Sequence, residues 1–384
     1  MDKDKKLWGK ISELKGLASI GFTDIIGSGI GAIFWFYIAS VIETEQYGEI
    51  SYFLGIAALI QIIALIGTTN VITVYLAKKI RIEATLYFLS LVISFISSVI
   101  IFVLLHRIDV SLLIFAFVIN DLSIATILGK KCYGSYPKFI LSQKALLLGT
   151  GIILYHFIGI ESIIFSIVIS YIPFIIIMRK GFENSKINFT LLKERKEFIL
   201  NNYANILASG FRRDIDKLII PPLLGFTILG NYALALQMFS VLAIFSGILY
   251  KYILPEDASK NPNKKLKKAS IIGTIGIAIA GYLILPEIIP AIFPKYIDTV
   301  DAIRIMSLTV IPATLVLILW SEFLAKEKSR FVLVSSLIQL AIMVVGIITL
   351  GPILGIEGLA LTYLLASSVQ AVFLMVSMKI FKNR

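Results

Sequence analysis

The sequence has little of what a metalloprotein or a soluble globule needs. It contains one cysteine, Cys132, and two histidines, His106 and His156, among 384 residues. One cysteine allows no internal disulfide and no thiolate metal cage, and two histidines leave little for a histidine-built metal site. Only 16% of the residues are charged and 58% are hydrophobic, whereas typical soluble domains are about 25% charged and about 45–50% apolar. These values exclude an ordinary soluble globule, and they exclude disorder, which needs low hydrophobicity and high charge.

Familiar catalytic motifs are also absent from the sequence. There is no Gly-rich phosphate loop ending in Lys-Ser/Thr and no His-Glu-x-x-His, Gly-x-Ser-x-Gly or Cys-x-x-Cys motif. The longest polar segment on the side of the chain that is poor in Lys and Arg, about residues 290–300, is too short for a folded catalytic domain. We therefore predict that the protein is not an enzyme and that it uses no cofactor or metal.

Long apolar runs are what the sequence has in abundance. A bilayer core of about 30 Å needs about 20 mostly apolar residues per helix, and twelve such runs follow one another along the chain. They predict an all-α integral membrane protein with twelve transmembrane helices. The predicted spans are roughly 17–42, 48–76, 84–105, 110–128, 138–158, 161–178, 199–223, 227–250, 269–289, 300–324, 331–350 and 356–380.

Lys and Arg are concentrated in alternate loops. Thirty of the 36 lie on one side of the predicted membrane, and only Arg107, Lys295 and Arg304 lie on the other. Because loops rich in Lys and Arg face the cytoplasm, both termini are predicted to be cytoplasmic, in the cytoplasmic or inner membrane of a bacterium or archaeon. The net charge of +12 is then mostly a topology signal, and we expect no nucleic-acid partner.

A charged segment divides the predicted spans into six and six. It predicts an N-terminal six-helix lobe at 1–178, a cytoplasmic linker at 179–198 and a C-terminal six-helix lobe at 199–384. Two such lobes with both termini on one side suit a transporter whose lobes rock about a central cavity.

Weak repeats support two related halves. Short stretches recur at matching places, although short hairpins that simply favour Gly would give the same pattern. The two pairs are Phe157-Ile-Gly-Ile-Glu161 with Ile353-Leu-Gly-Ile-Glu357, and Gln46-Tyr-Gly48 with Leu229-Gly-Asn-Tyr232.

Span seven carries a dense charged cluster, Gly210-Phe-Arg-Arg-Asp-Ile-Asp-Lys217. Each ionisable side chain in a span costs about 2.5–3.5 kcal/mol on insertion scales, so such residues mark a pathway or a pair. Arg212, Arg213, Asp216 and Lys217 fall within about 140° of the helix circumference, and Asp214 falls outside it. We predict that Arg212, Arg213 and Lys217 bind a phosphate or pyrophosphate group and that Asp216 tunes them. The alternative is internal neutralisation by ion pairs three or four residues apart, through Arg212–Asp216 and Arg213–Asp216 or Asp214–Lys217.

The first half has a sparser set of polar residues within its predicted spans, namely Asp24, Asn70, Asp121 and Lys144. They are candidates for lining a lumen and for coupling protons, with Asp24 or Asp121 balancing Lys144. Helix-to-helix hydrogen bonds that only fix packing are the alternative.

Four stretches of the chain resemble the polysaccharide-exporter branch of the multidrug, oligosaccharidyl-lipid and polysaccharide exporter superfamily, and within it the O-antigen or repeat-unit flippases. The stretches are Glu43-Thr-Glu-Gln-Tyr-Gly-Glu-Ile-Ser-Tyr-Phe53, Asp214-Ile-Asp-Lys-Leu-Ile-Ile-Pro-Pro-Leu-Leu-Gly225 with Leu229-Gly-Asn-Tyr-Ala-Leu-Ala235, Ala291-Ile-Phe-Pro-Lys-Tyr296 and Gly355-Ile-Glu-Gly-Leu-Ala360. Two positions depart from the family pattern. Pro294 replaces the usual Gly, and Asp24 stands where a flippase of the lipid-linked peptidoglycan precursor would show Arg, which argues against that precursor as substrate.

The resemblance implies a MATE-like, V-shaped arrangement of two six-helix bundles around a cationic lumen. It also implies that the protein flips undecaprenyl-pyrophosphate-linked oligosaccharide repeat units by alternating access, for O-antigen, lipopolysaccharide or other polysaccharide biosynthesis. The expected partners are the lipid-linked oligosaccharide, membrane lipids and other membrane proteins of polysaccharide assembly. The alternatives are a small-molecule cation or drug antiporter of the same superfamily and a membrane-embedded glycan polymerase.

Overall fold

The structure is a computed structural model that describes residues 2–258, 263–326 and 328–382. Nearly all of these residues are helical, because a chain surrounded by lipid must satisfy its backbone hydrogen bonds internally. The α-helices are α1 (Asp2–Val41), α2 (Thr44–Leu65), α3 (Thr68–Ala77), α4 (Glu83–Leu105), α5 (Ile108–Gly129), α6 (Tyr136–Ile158), α7 (Ser162–Ser170), α8 (Ile175–Asn184), α9 (Phe189–Glu194), α10 (Lys196–Leu224), α11 (Phe226–Ala258), α12 (Lys264–Ile292), α13 (Thr299–Ala325) and α14 (Ser329–Lys382).

These helices form twelve membrane spans in the described part of the chain. Ten stretches are long and apolar enough to cross a membrane. One of them, Ser329–Ile380, has 52 residues and bends at Gly355, where φ is 56° and ψ is −133°, so it holds two spans. The twelfth is α10, which has 29 residues but carries the charged cluster. The predicted all-α membrane fold with twelve transmembrane helices is therefore confirmed.

Contacts divide the chain into two compact units. Unit 1 comprises residues 1–34 and 56–210, and unit 2 comprises residues 35–55 and 211–384. Three long helices, α1, α2 and α10, therefore each contribute to both units. A linker in the sequence marks where the chain is predicted to leave the membrane. The division between the two units instead falls partway along these three helices. The lobe boundaries at 178 and 199 stay a prediction.

In unit 1 the second span is broken. Helix α2 ends at Leu65 and α3 begins at Thr68, and between them Ile66 and Gly67 have φ of 48° and 70°. A positive φ is an outlier for a β-branched residue, so surrounding packing must hold Ile66 in place. Side chains from α2, α3, α4, α5, α8 and α10 supply that packing. The fully or largely buried members are Ala64, Leu65, Val71, Ile72, Leu76, Ile82, Leu86, Tyr87, Val118, Leu122, Ala125, Met178 and Ile199.

In unit 2 the first turns of α2 and α11 meet backbone to backbone. A Cβ built on Gly48 would lie 1.9 Å from the carbonyl oxygen of Phe226, and one built on Gly230 would lie 1.9 Å from that of Thr44. Both glycines belong to the repeated stretches of the sequence. Small residues let membrane helices approach this closely, so the repeat marks a helix crossing.

The loop before α13 packs on the same corner of unit 2. Thr44 Oγ1 donates to the carbonyl oxygen of Lys295 at 3.0 Å, and Lys295 Nζ lies 2.8 Å from Glu43 Oε1. The ring of Tyr296 packs edge-on against Tyr47, with 6.1 Å between centroids, and burial and the nearby Glu43 raise the pKa of Tyr296. Stretches far apart in the sequence thus build one corner.

Replacing Gly48 by Ala should destabilise this corner. The added methyl group would collide with backbone, which cannot rotate away, and overpacking of this kind typically costs about 1–3 kcal/mol. We expect the thermal unfolding midpoint of the purified protein in detergent to fall. The control is Gly29→Ala, because a Cβ at Gly29 meets no atom within 4 Å. Equal midpoints for the two variants would contradict the close approach.

Candidate functional site

A cavity of about 360 Å³ lies within unit 2. All four predicted substrate-binding residues, Arg212, Arg213, Asp216 and Lys217, line it. Helices α1, α2, α11 and α14 supply the rest of its wall. The other polar or aromatic side chains of the wall are Trp35, Tyr47, Ser51, Gln237, Phe239, Ser240, Gln339 and Tyr363. A few polar groups among aromatic and apolar side chains are typical of a ligand pocket.

Asp214 is the residue that pairs with cations in this cluster. Its Oδ1 lies 2.6 Å from Lys217 Nζ, and its Oδ2 lies 2.8 Å from Arg213 Nε. The helical angle placed Asp214 outside the charged face, but long Lys and Arg side chains can bend towards a neighbour on the helix. Internal neutralisation, the alternative reading of the cluster, therefore applies to Arg213 and Lys217, which share one carboxylate.

Arg212 is held differently. Its Nη1 donates to Gln339 Oε1 at 2.9 Å, and its guanidinium carbon lies 5.4 Å from the centroid of the Trp320 ring. Its Nε is buried without a hydrogen-bond partner, and no carboxylate of the described residues forms an ion pair with it. A neutral amide and an aromatic face stabilise a cation without cancelling its charge. The pocket therefore keeps a positive charge at Arg212.

Asp216 is buried, with 3% of its surface exposed. Its Oδ1 accepts from the backbone N–H of Lys217 at 2.8 Å, and Tyr232 and Tyr363 interact with it electrostatically. It makes no ion pair with any residue that the structure describes. Across α10 the cluster thus holds three cations and two carboxylates, which leaves one positive charge in excess.

The candidates from the first half, Asp24, Asn70, Asp121 and Lys144, all lie in unit 1. Tyr136 donates its hydroxyl to Asp24 Oδ1 at 2.7 Å. Gln61 Nε2 donates to Asp121 Oδ2 at 2.6 Å. Asn70 is exposed on α3. Both carboxylates therefore have neutral hydrogen-bond donors on neighbouring helices, as the packing alternative expects.

Lys144 is not balanced by either carboxylate in the described part of the chain. It lies instead along α1, where a Cβ built on Gly31 would be 3.6 Å from Lys144 Nζ and one built on Gly27 would be 3.6 Å from its Cγ. The absence of side chains at these glycines leaves room for the lysine stem. The roles proposed for the four residues in a lumen or in proton coupling stay predictions.

Sequence reasoning missed the residues that hold Arg212. Trp320 and Gln339 come from α13 and α14, more than 100 residues from Arg212 along the chain. Nothing in their local sequence separates them from packing or interface residues, so only the folded structure shows the contact.

A buried ion cluster in unit 2 was also missed. Lys267 Nζ lies 2.7 Å from Asp257 Oδ2 and 3.1 Å from Glu322 Oε1, and Ser321 Oγ donates to Asp257 Oδ2 at 2.6 Å. In the sequence Lys267 stands in a run of lysines at a predicted cytoplasmic loop and gives no sign of burial. The cluster joins the end of α11, the start of α12 and the end of α13.

Unit 1 has a related ion pair in which the positions of the acidic and the basic residue are exchanged. Glu83, at the start of α4, is 1% exposed, and its Oε1 lies 3.3 Å from Nζ of Lys130, which follows α5. In each half, then, the start of the third span is tied to the end of the fourth by opposite charges.

Comparisons with known proteins show the fold. The sequence matches no protein-family model and no curated protein. The lipid II flippase MurJ, in an inward closed conformation, has a TM-score of 0.76 at 12% identity over 94% of this chain and 87% of that chain. An inward-facing multidrug resistance MATE family transporter of the MOP superfamily has a TM-score of 0.71 at 14% identity, covering 93% of this chain and 94% of that one. The MATE multidrug transporter DinF-BH has a TM-score of 0.68 at 14% identity over 96% of both chains.

These likenesses agree with the fold implied by the sequence resemblance. The chain has the multi-pass helical fold found in MATE transporters and MurJ, with twelve transmembrane helices. Its place in the polysaccharide-exporter branch stays a prediction.

Removing Lys267 should destabilise unit 2. In Lys267→Met, Asp257 and Glu322 would face each other without a cation, and breaking a buried pair in this way costs about 3–5 kcal/mol. We expect a clear drop in the thermal unfolding midpoint in detergent.

The matched control for that variant is Arg304→Met. Its partner Asp301 is 2.7 Å away, but both side chains are substantially exposed, at 41% and 59%, and surface pairs contribute about 0–1 kcal/mol. A midpoint for Lys267→Met no lower than that of Arg304→Met would show that the buried cluster does not stabilise the fold.

Proposed function

We propose that the protein translocates a pyrophosphate-linked oligosaccharide, carried on undecaprenyl, across the cytoplasmic membrane by alternating access. The observation that carries this proposal is Arg212, a cation inside a cavity of the membrane domain with no carboxylate pairing it among the described residues. Burying such a charge is unfavourable unless a ligand or a partner repays it. An anionic ligand does so, and the guanidinium plane matches phosphate oxygens in pairs.

The neighbouring cations extend the anion-binding surface. Arg213 contacts Asp214 through Nε, which leaves its terminal amino groups for a ligand, and 66% of its side chain is exposed. Lys217 also lines the cavity and offers a point charge. Two guanidinium groups and one ammonium suit the adjacent phosphates of a diphosphate. In this proposal Asp214 and Asp216 limit the net charge, so that the anion can leave as well as bind.

The fold supports movement of the whole head group. MurJ is named as a lipid II flippase and the MATE proteins as multidrug transporters, so this architecture accommodates lipid-linked and soluble cargo. Asp24 in the first span argues against the peptidoglycan precursor as cargo here. We propose an oligosaccharide repeat unit for O-antigen or another polysaccharide, with the prenyl tail remaining in lipid.

The proposal also includes the orientation of the protein in the membrane, the coupling ion and the partners. Both termini lie in the cytoplasm, the protein spans a bacterial or archaeal cytoplasmic membrane, and Asp24 or Asp121 couples a proton gradient. It catalyses no covalent step. Its partners are the lipid-linked substrate, membrane lipids and other membrane proteins of polysaccharide assembly.

A second candidate function is export of small cationic molecules. It is favoured by the carboxylates of Asp24 and Asp121 within spans of unit 1 and by the fold shared with MATE transporters. Deleting the gene separates the two functions. Loss of surface glycan with unchanged drug susceptibility supports the flippase, whereas increased drug susceptibility with intact glycan supports the exporter.

Replacing both guanidinium groups should abolish the flippase activity. In Arg212→Ala/Arg213→Ala we expect surface glycan to disappear from the complemented deletion strain while an immunoblot shows unchanged protein. The control is Arg179→Ala/Arg304→Ala, which removes two arginines from exposed ion pairs. Surface glycan that persists in the first variant would refute a cationic site in this cavity.

Charge and geometry at Arg212 can be separated in reconstituted vesicles. Hydrogen bonds to charged groups contribute about 1.5–3 kcal/mol, so Arg212→Gln should slow the flipping of a prenyl-pyrophosphate glycan about 10- to 100-fold. Arg212→Lys keeps the charge but loses the paired donors, and its rate should lie between those of the wild type and Arg212→Gln. A rate for Arg212→Gln equal to that of the wild type contradicts direct contact with phosphate.

A further inference from the structure

Unit 1 contains a second cavity, which is apolar. It has a volume of about 370 Å³ and plays no part in the proposed transport site. Its lining comes from the α2–α3 break, the start of α4, helix α9 and the start of α10. The apolar lining residues are Ile66, Leu86, Leu89, Phe189, Leu192, Ile199 and Leu200. We call this cavity the unit 1 groove.

Part of the unit 1 groove lies about half a bilayer core from a basic loop. Thr68 lines the groove and is the first residue of α3, which ends at Ala77 beside the basic residues Lys78 and Lys79. At 1.5 Å per residue, Thr68 lies about 15 Å from that end. Half of a bilayer core of about 30 Å is the same length, so a fatty chain entering from the basic side would extend to the α2–α3 break.

The outer wall of the groove is fixed to α4. Asn188 accepts hydrogen bonds from the backbone N–H groups of Thr190 and Leu191 at 3.0 and 3.3 Å, which caps α9. The backbone N–H of Asn188 donates to Thr85 Oγ1 at 2.8 Å. These bonds hold α9 over the start of α4, so the groove is built into the fold.

Two exposed lysines line the groove. Lys193 and Lys196 line it and are exposed, and neither forms an ion pair with a described residue. Arg195, between them, is engaged elsewhere: its guanidinium carbon lies 5.3 Å from the centroid of the Tyr75 ring. Apolar walls beneath two cations complement a molecule with a fatty chain and an anionic head.

We propose that the unit 1 groove binds an anionic phospholipid of the leaflet on the basic side, with one acyl chain in the groove and the phosphate between Lys193 and Lys196. The cytoplasmic leaflet is rich in anionic lipids, and each nearby Lys contributes to their attraction. Water is an unfavourable occupant because the walls of the groove are apolar. A soluble anion would bind the lysines but would leave those walls uncovered.

Fluorescence quenching by brominated lipids tests this proposal. Phe189→Trp, in a background with Trp8, Trp35 and Trp320 replaced by Phe, puts a single reporter at the groove. The protein is reconstituted in phosphatidylcholine vesicles that contain brominated phosphatidylglycerol or brominated phosphatidylcholine. We expect the anionic lipid to bind more tightly, by up to about fivefold for each lysine.

The control variants separate the groove from general charge. Lys193→Gln/Lys196→Gln should abolish the preference for phosphatidylglycerol. Lys180→Gln/Lys186→Gln, which removes two exposed lysines of the same segment outside the groove, should keep it. Equal quenching by the two lipids overturns the proposal, and so does a preference that survives in Lys193→Gln/Lys196→Gln.

Two competitors identify the occupant. Inorganic phosphate should not displace the brominated phosphatidylglycerol, because it has no chain to fill the groove. Displacement by inorganic phosphate would mean a simple anion site, and tighter binding of a polyprenyl phosphate would assign the groove to the carrier lipid. Either result overturns the choice of phospholipid. Neither bears on Arg212, because the readout is lipid binding in unit 1.

Discussion

A charge inside the membrane must be neutralised by an opposite charge or stabilised by a ligand. In this protein the carboxylate of Asp214 determines which cations of α10 are neutralised. It cancels much of the charge of Arg213 and Lys217 and leaves Arg212 to an amide and an aromatic ring. Among the three cations of the cluster in unit 2, Arg212 is therefore the one without a carboxylate partner among the described residues. A membrane helix that carried three unpaired cations would be costly to insert. A helix whose cations were all paired would attract no anion.

The fold was predictable because its signals are local and repeated. Twelve apolar runs and alternating basic loops need no knowledge of tertiary contacts. The site was predictable only to the level of α10, where ionisable residues stand out against an apolar background. Gln339 and Trp320, which hold Arg212, are ordinary residues of distant helices. The spacing allowed the Asp214–Lys217 pair, whereas the contact of Asp214 with its neighbour Arg213 depends on side-chain reach that an angle on a helical wheel does not describe.

The weak similarity of the two halves has a physical explanation in their ion pairs. Glu83 with Lys130, and Lys267 with Glu322, tie the same helix ends together in each half, at 3.3 and 3.1 Å. The signs are exchanged between the halves, so an alignment of residue types finds no match where the interaction is the same. Gly48 and Gly230 are the opposite case: they are recognisable as a repeat because a close backbone contact tolerates no other residue.

The membership of residues 35–55 in unit 2 affects how the protein is made. Trp35 and Tyr47, part of the wall of the cavity, leave the ribosome about 180–190 residues before α11 begins at Phe226. At about 5–20 residues per second this is a delay of roughly 9–38 s. During that interval the α11 backbone that Gly48 contacts has not yet been made. Biogenesis of this protein thus depends on an early segment remaining available until its partner helices are synthesised.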